Sequence, residues 1–150
     1  MTTHSESRVL PYTADLMYAV VADIEKYPEF LPWCGGLCVL SRERVKDRDV
    51  LRAEMLVGFS GFRERYTSRV VLDATARTVD VTQTDGPFRQ LESCWRFTPQ
   101  NAGCRVDFSI AFEFRNRLLN AVAGSAFEQA LLKMTDAFEA RASALSEKPE

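Results

Sequence analysis

The feature that most constrains this chain is a period-two alternation of apolar and polar residues, repeated in segment after segment between residues 51 and 114. The clearest case is Cys104, Val106, Phe108, Ile110, Phe112 and Phe114, set against Arg105, Asp107 and Glu113. Leu51, Ala53, Met55, Val57 and Phe59 alternate with Arg52 and Glu54, and Phe62, Tyr66, Val70 and Leu72 alternate with Arg63, Arg65 and Arg69. Leu91, Ser93, Trp95 and Phe97 face away from Glu92, Cys94 and Arg96, and Val79 and Val81 from Asp80 and Thr82. Successive side chains of a strand point to opposite faces, so the repetition requires an antiparallel sheet with one apolar and one wet face. The interruptions fit hairpin turns: residues 46–49, Ser60-Gly61, residues 73–76, Asp85-Gly86-Pro87 and residues 99–103 are short and polar or rich in Gly and Pro. With residues 37–45 included, about seven strands are expected.

An apolar sheet face has to be covered by another layer. At the front, residues 7–10 read as a short strand closed by Pro11, and Thr13 as the N-cap of a helix with Asp15 in its first turn. Leu16, Met17, Val20, Val21 and Ile24 then fall at helical spacing, and Pro28 and Pro32 leave room for one turn between them. Near the end, Ser125 and Glu128 form a capping box, and Phe127, Leu131, Met134, Phe138 and Leu145 share one side of a helix. That helix would be roughly 30 Å long, enough to cross a sheet. Residues 116–123 read as a separate, shorter helical segment bent away at Gly124. Strand, helices, a meander and a long helix together predict an α+β helix-grip architecture: a curved antiparallel sheet wrapped on a C-terminal helix, with a cavity between them. One domain is expected over residues 1–150, with its core at about residues 7–142.

Charge and titratable residues exclude several function classes. A net charge of −2 does not suit a general nucleic-acid binder, so no DNA partner is expected. The only histidine, His4, lies in a polar terminus and reads as disordered, and without a second one no Ser/His/Asp or Cys/His set can be assembled. Cys34 and Cys38 lack partners for a tetrahedral zinc site, so neither a metal nor a catalytic cofactor is expected. Residues 1–7 lack the apolar core of a signal peptide, and residues 118–127, the nearest approach to a spanning run, are too short. The expectation is a reduced, cytoplasmic protein that is at most peripheral to the inner membrane.

Several residues are candidates for binding. Glu64 shares its phase with Phe62, Tyr66 and Val70, which places a carboxylate on the apolar side. It reads either as a polar anchor in a cavity or as a sheet-end residue reaching solvent or a neighbouring arginine. Tyr66, Ser68, Gln83 and Ser93 are also on the inward phase, where polar groups could orient a head group. The inward aromatics either line a cavity or fill a core; the two look alike in sequence. Arg63, Arg65 and Arg69 share the outer face of one strand, suited to an acidic partner or simply to solvent. Leu118, Leu119 and Val122, flanked by Arg115 and Arg117, suit a transient membrane-surface contact or ordinary packing at the sheet edge.

Residues 11–18 and Asp23 through Cys34, with Tyr27-Pro28-Glu29-Phe30-Leu31-Pro32-Trp33 at their heart, resemble the opening of the coenzyme Q-binding START-like family. Val57-Gly58-Phe59, residues 63–70, Asp85-Gly86-Pro87-Phe88, Trp95-Arg96-Phe97 and Phe112-Glu113-Phe114-Arg115 are similar too. The resemblance implies a START/Bet v 1-like fold and a hydrophobic small-molecule ligand, ubiquinone or a related polyprenylated quinone, bound without turnover. The bacterial ribosome-association toxin family shares the fold and the Asp-Gly-Pro-Phe turn, which makes the ribosome a second candidate partner, reached through the outer arginines. Trp33-Cys34 and residues 58–69 look nearer the quinone binders. On the carrier reading the tail would lie between Met55, Phe59, Tyr66, Trp95, Phe108 and Phe112 on the sheet and Phe127, Leu131 and Met134 on the helix. Phe30, Trp33 and Glu64 complete the expected ligand set. A third reading, an aromatase/cyclase-like enzyme with Glu64 as base, is disfavoured by the lack of a histidine partner.

Overall fold

The computed structural model describes residues 2–59 and 62–147, apart from the side chains of Phe59, Phe62, Val122, Ala123 and Glu147. The Ser60-Gly61 turn lies outside the described residues.

Seven strands form one antiparallel sheet: β1 (Thr2–Leu10), β2 (Cys34–Val45), β3 (Arg48–Phe59), β4 (Phe62–Asp73), β5 (Thr78–Asp85), β6 (Phe88–Gln100) and β7 (Gly103–Phe114). Their spatial order is β1-β7-β6-β5-β4-β3-β2, so a meander is closed by β1 returning beside β7, and β1 and β2 are the edges. Between β1 and β2 lie α1 (Ala14–Ala22), a 3₁₀ turn (Ile24–Lys26) and α2 (Tyr27–Phe30). Thr13 caps α1 by accepting a hydrogen bond from the Leu16 amide at 3.1 Å. Met17, Val20 and Val21 of α1 and Ile24 beyond it are buried, as their spacing requires.

Three expectations need correcting. β1 begins at Thr2 rather than Ser7, and His4 is part of it, half-buried with its ring 6.3 Å from that of Phe108. The inward row of β1 is His4, Glu6 and Arg8, all polar, so this part of the strand carries no apolar alternation. Glu6 and Arg8 meet the polar flank of the terminal helix: Arg8 donates to Asp136 at 2.8 Å and Glu139 at 3.0 Å, and the Thr135 hydroxyl donates to Glu6 at 3.1 Å. The terminal helix, α3 (Arg117–Glu147), is continuous through Gly124, so the expected bend is absent. Its first turn is capped by Asn116, whose side-chain oxygen accepts from the Leu119 amide at 2.8 Å. At 31 residues, α3 is about 46 Å long.

Gly86 fixes the hairpin between β5 and β6. Its φ of 154° is one that side chains rarely adopt, and a Cβ there would meet Gln83 and Tyr66 at 2.5 Å. The Gln83 amide completes the turn by donating to the Phe88 carbonyl at 2.7 Å and accepting from the Phe88 amide at 3.1 Å.

Candidate ligand cavity

Between the concave sheet face and α3 lies a cavity of about 100 Å³. Its floor is built from alternate residues of neighbouring strands: Ala53, Met55 and Val57 of β3, Tyr66, Ser68 and Val70 of β4, Ser93 and Trp95 of β6, and Phe108 and Ile110 of β7. Phe127, Leu131, Met134 and Phe138 of α3 form the roof at helical spacing. Ile24, Tyr27, Leu31 and Trp33 close one side. A hydrogen bond from the Gly58 amide to the Trp33 carbonyl, at 2.9 Å, pins that segment to β3.

No charged side chain lines the cavity among the described residues; its polar side chains are the hydroxyl-bearing Tyr27, Tyr66, Ser68 and Ser93 and the indoles of Trp33 and Trp95. Among the described residues Tyr66 donates only to the Met55 sulfur, at 3.4 Å, a weak acceptor. Burial holds the Tyr66 phenol well above its ordinary value of 10.0, so it stays protonated and able to donate. Tyr27 is also held up by burial, and its hydroxyl donates to the Val21 carbonyl. Ser68, 5% exposed, and the half-buried Ser93 also line the space. Hydroxyls on an otherwise apolar wall can bind and orient a neutral polar group. They supply no general base, and no group of three or more His, Cys, Asp or Glu among the described residues could hold a metal ion.

Phe127 closes one end of the cavity. Its ring packs on Phe112 at 4.6 Å, Phe88 at 5.1 Å and Phe114 at 5.8 Å, forming an aromatic wall.

Trp33, Met55, Tyr66, Trp95, Phe108, Phe127, Leu131 and Met134, all expected from sequence to contact ligand, are brought together in the lining. Phe112 is not in it; it stands behind Phe127 in the aromatic wall. Phe30 packs against Tyr27 and Phe138 instead, with the Arg141 guanidinium 5.3 Å from its ring. Glu64 is half-buried opposite Val57 on β3 and outside the lining. The Phe59 and Val122 side chains fall outside the described residues. Gln83 is committed to the hairpin at Gly86. Phe138 lies on the same helical stripe as Leu131 and Met134, a signal that could have added it to the expected set. Tyr27 and Leu31 sit in a turn too short to show any period.

Arg63, Arg65 and Arg69 are exposed on the convex face, as their phase requires. Arg65 lies 3.4 Å from Glu54, and Arg69 stands directly across from Arg52 of β3. Leu118 is 73% exposed, whereas Leu119 packs partly against the core.

A curved antiparallel sheet gripping one long helix over an apolar cavity defines a class of START and Bet v 1-like proteins. Within it, the chain belongs to the polyketide cyclase/dehydrase and lipid transport family, whose model matches residues 10–139. The ribosome association toxin RatA of Pseudomonas aeruginosa is 35% identical over 147 residues, covering 97% of this chain and 99% of its own. The mitochondrial coenzyme Q-binding protein COQ10 homolog B of Xenopus laevis is 36% identical over 143 residues. That match covers 93% of this chain and 57% of the Xenopus protein, so the chain spans little more than half of that relative. The solution structure of an 18 kDa protein of Caulobacter crescentus superposes with a TM-score of 0.81 at 38% identity, covering 99% of this chain and 100% of that one. The Zhui aromatase/cyclase superposes with a TM-score of 0.76 at 20% identity, covering 95% of this chain and 93% of that one, and so shares the fold alone. Identities of 35% and 36% do not separate the toxin from the coenzyme Q-binding protein, so the choice passes to the chemistry of the site.

Proposed function

We propose that this protein binds a polyprenylated quinone such as ubiquinone and carries it without chemical turnover. The observation that supports this reading is the cavity itself: set between sheet and helix, free of charged lining side chains among the described residues, and provided with neutral hydroxyls on Tyr66, Ser68 and Ser93. A quinone ring offers carbonyl acceptors for such donors, and its tail needs only apolar wall. Tail burial contributes about 25 cal/mol per Å² removed from water, so affinity can accrue without an ion pair. The cavity of about 100 Å³ is smaller than the roughly 300–1,000 Å³ usual for ligand sites. Loading therefore has to lift α3 from the sheet.

The first test is organic extraction and mass spectrometry of protein purified without detergent from its native host. The expected result is ubiquinone near one per chain, lost in Leu131→Asp provided that variant folds. A wild-type protein carrying no quinone, and failing to bind it when titrated, would overturn the reading.

One observation favours a second reading. Arg52 and Arg69 face each other across β3 and β4, with Arg63 and Arg65 on the same convex face. Like charges opposed across a sheet are destabilising and are relieved by a polyanion. With a ribosome association toxin among the relatives, this face is a candidate surface for ribosomal RNA. Reversing Arg63 and Arg65 to glutamate should abolish co-sedimentation with ribosomes on that reading and leave it unchanged on the carrier reading.

A further inference from the structure

At the end of the molecule where α3 begins, the last residues of β7, the start of β6 and the first turns of α3 enclose a second, open cleft of about 480 Å³. Arg89, Arg115 and Arg117 line it, together with the single carboxylate Glu113 and the amide side chain of Asn120. All three arginines are exposed, and none has an ion-pair partner among the described residues. The Arg115 amide donates to the Pro87 carbonyl at 2.9 Å, which ties this segment to the Gly86 hairpin. The first turn of α3 adds the positive end of a long helix dipole to the same place.

Beside this charge stands Leu118, 73% exposed and the most exposed large apolar side chain among the described residues, followed by Leu119, which is partly buried against the core. We infer that the cleft formed by Arg89, Arg115 and Arg117, with Leu118 at its rim, is a docking surface for an anionic lipid bilayer. The arginines complement phosphate head groups, and the exposed leucine inserts among acyl chains. RNA would satisfy the arginines equally well but has no use for the leucine, and that distinguishes the two partners. Phe112 and Phe114 belong both to this cleft and to the wall behind Phe127. The surface therefore adjoins the end of the cavity, although its charge and its leucine do not depend on what the cavity holds.

The test is flotation of the full chain with phosphatidylcholine vesicles, with and without phosphatidylglycerol. Binding is expected only to the anionic vesicles and should weaken with added salt. The triple variant Arg89→Gln, Arg115→Gln, Arg117→Gln should weaken it on the order of a hundredfold, at about fivefold for each arginine. Leu118→Asp should abolish insertion, while Arg105→Gln, at the far end of β7, should change nothing; circular dichroism checks that each variant is folded. A wild-type chain that floats with neither vesicle, or a triple variant that still floats, overturns the inference. So does undiminished binding by Leu118→Asp, which would mark a polyanion site of the kind RNA fills. A protein that co-purifies with quinone yet ignores vesicles defeats this inference alone; one that floats but never holds quinone defeats only the carrier reading.

Discussion

On β6 and β7 six inward positions are aromatic, Phe88, Trp95, Phe97, Phe108, Phe112 and Phe114, among Leu91, Ser93, Cys104, Val106 and Ile110, whereas on β3 and β4 the described inward positions carry Leu51, Ala53, Met55, Val57, Glu64, Tyr66, Ser68, Val70 and Leu72, with one aromatic among them. Both halves obey the same alternation and face the same helix. The aromatic half is packed ring against ring: Trp95 lies 4.3 Å from Phe108 and 5.2 Å from Phe138. The other half offers small and flexible side chains, and much of the cavity floor lies there. Where the space goes is thus decided by side-chain volume within one pattern, not by a change of pattern.

The largest effect should come from the packed half. Phe97→Ala on β6 removes a ring that is 2% exposed and should cost about 3–5 kcal/mol, read from urea unfolding. Met55→Ala enlarges a space that already exists and should cost about 2 kcal/mol, the low end for such truncations. Equal losses at the two positions would mean that the halves are packed alike. A smaller loss is expected at the polar seam: Arg8→Ala breaks its contacts to Glu6, Asp136 and Glu139 and should cost about 1 kcal/mol, shrinking with salt because the seam is partly exposed. The subtlest effect is alkaline. Tyr27 and Tyr66 have folded-state pKa values raised above the ordinary 10.0 because burial opposes the phenolate. Their contribution to stability is therefore complete below pH 10 and is lost as the pH climbs beyond it. Absorbance at alkaline pH should show both phenols ionising only with unfolding. Early ionisation of Tyr66 would show that its half of the cavity admits water.

The strands from β3 to β7 could be read from sequence because each carries its own alternation. β1 could not be read in full: an edge strand that packs on the polar side of a helix has no apolar row to betray it, and His4, Glu6 and Arg8 resembled a loose terminus. Gly124 suggested a break because glycine weakens helices, by about 1 kcal/mol relative to alanine. That is too little to interrupt a helix held against the sheet and α1 along its length, and Asn116 made a better cap than Ser125. Within the site, phase identified which residues face inward but not how deep they lie. Phe108 and Phe112 share a strand and a phase, yet one lines the cavity and the other backs Phe127. Phe30 was misplaced because a four-residue helix has no period, and the pull of Arg141 on its ring comes from residues far along the chain.

The edge strand β2 has a consequence of another kind. Its register with β3 shifts twice, between Cys34 and Gly36 and between Val39 and Ser41, and its outer half carries the exposed Arg42, Glu43 and Arg44. A flat margin exposing Leu40 and Val45 would invite a neighbouring molecule to extend the sheet and seed insoluble fibres. Two bulges and a charged run make the margin crooked and strongly hydrated, a poor template for a second copy of the chain.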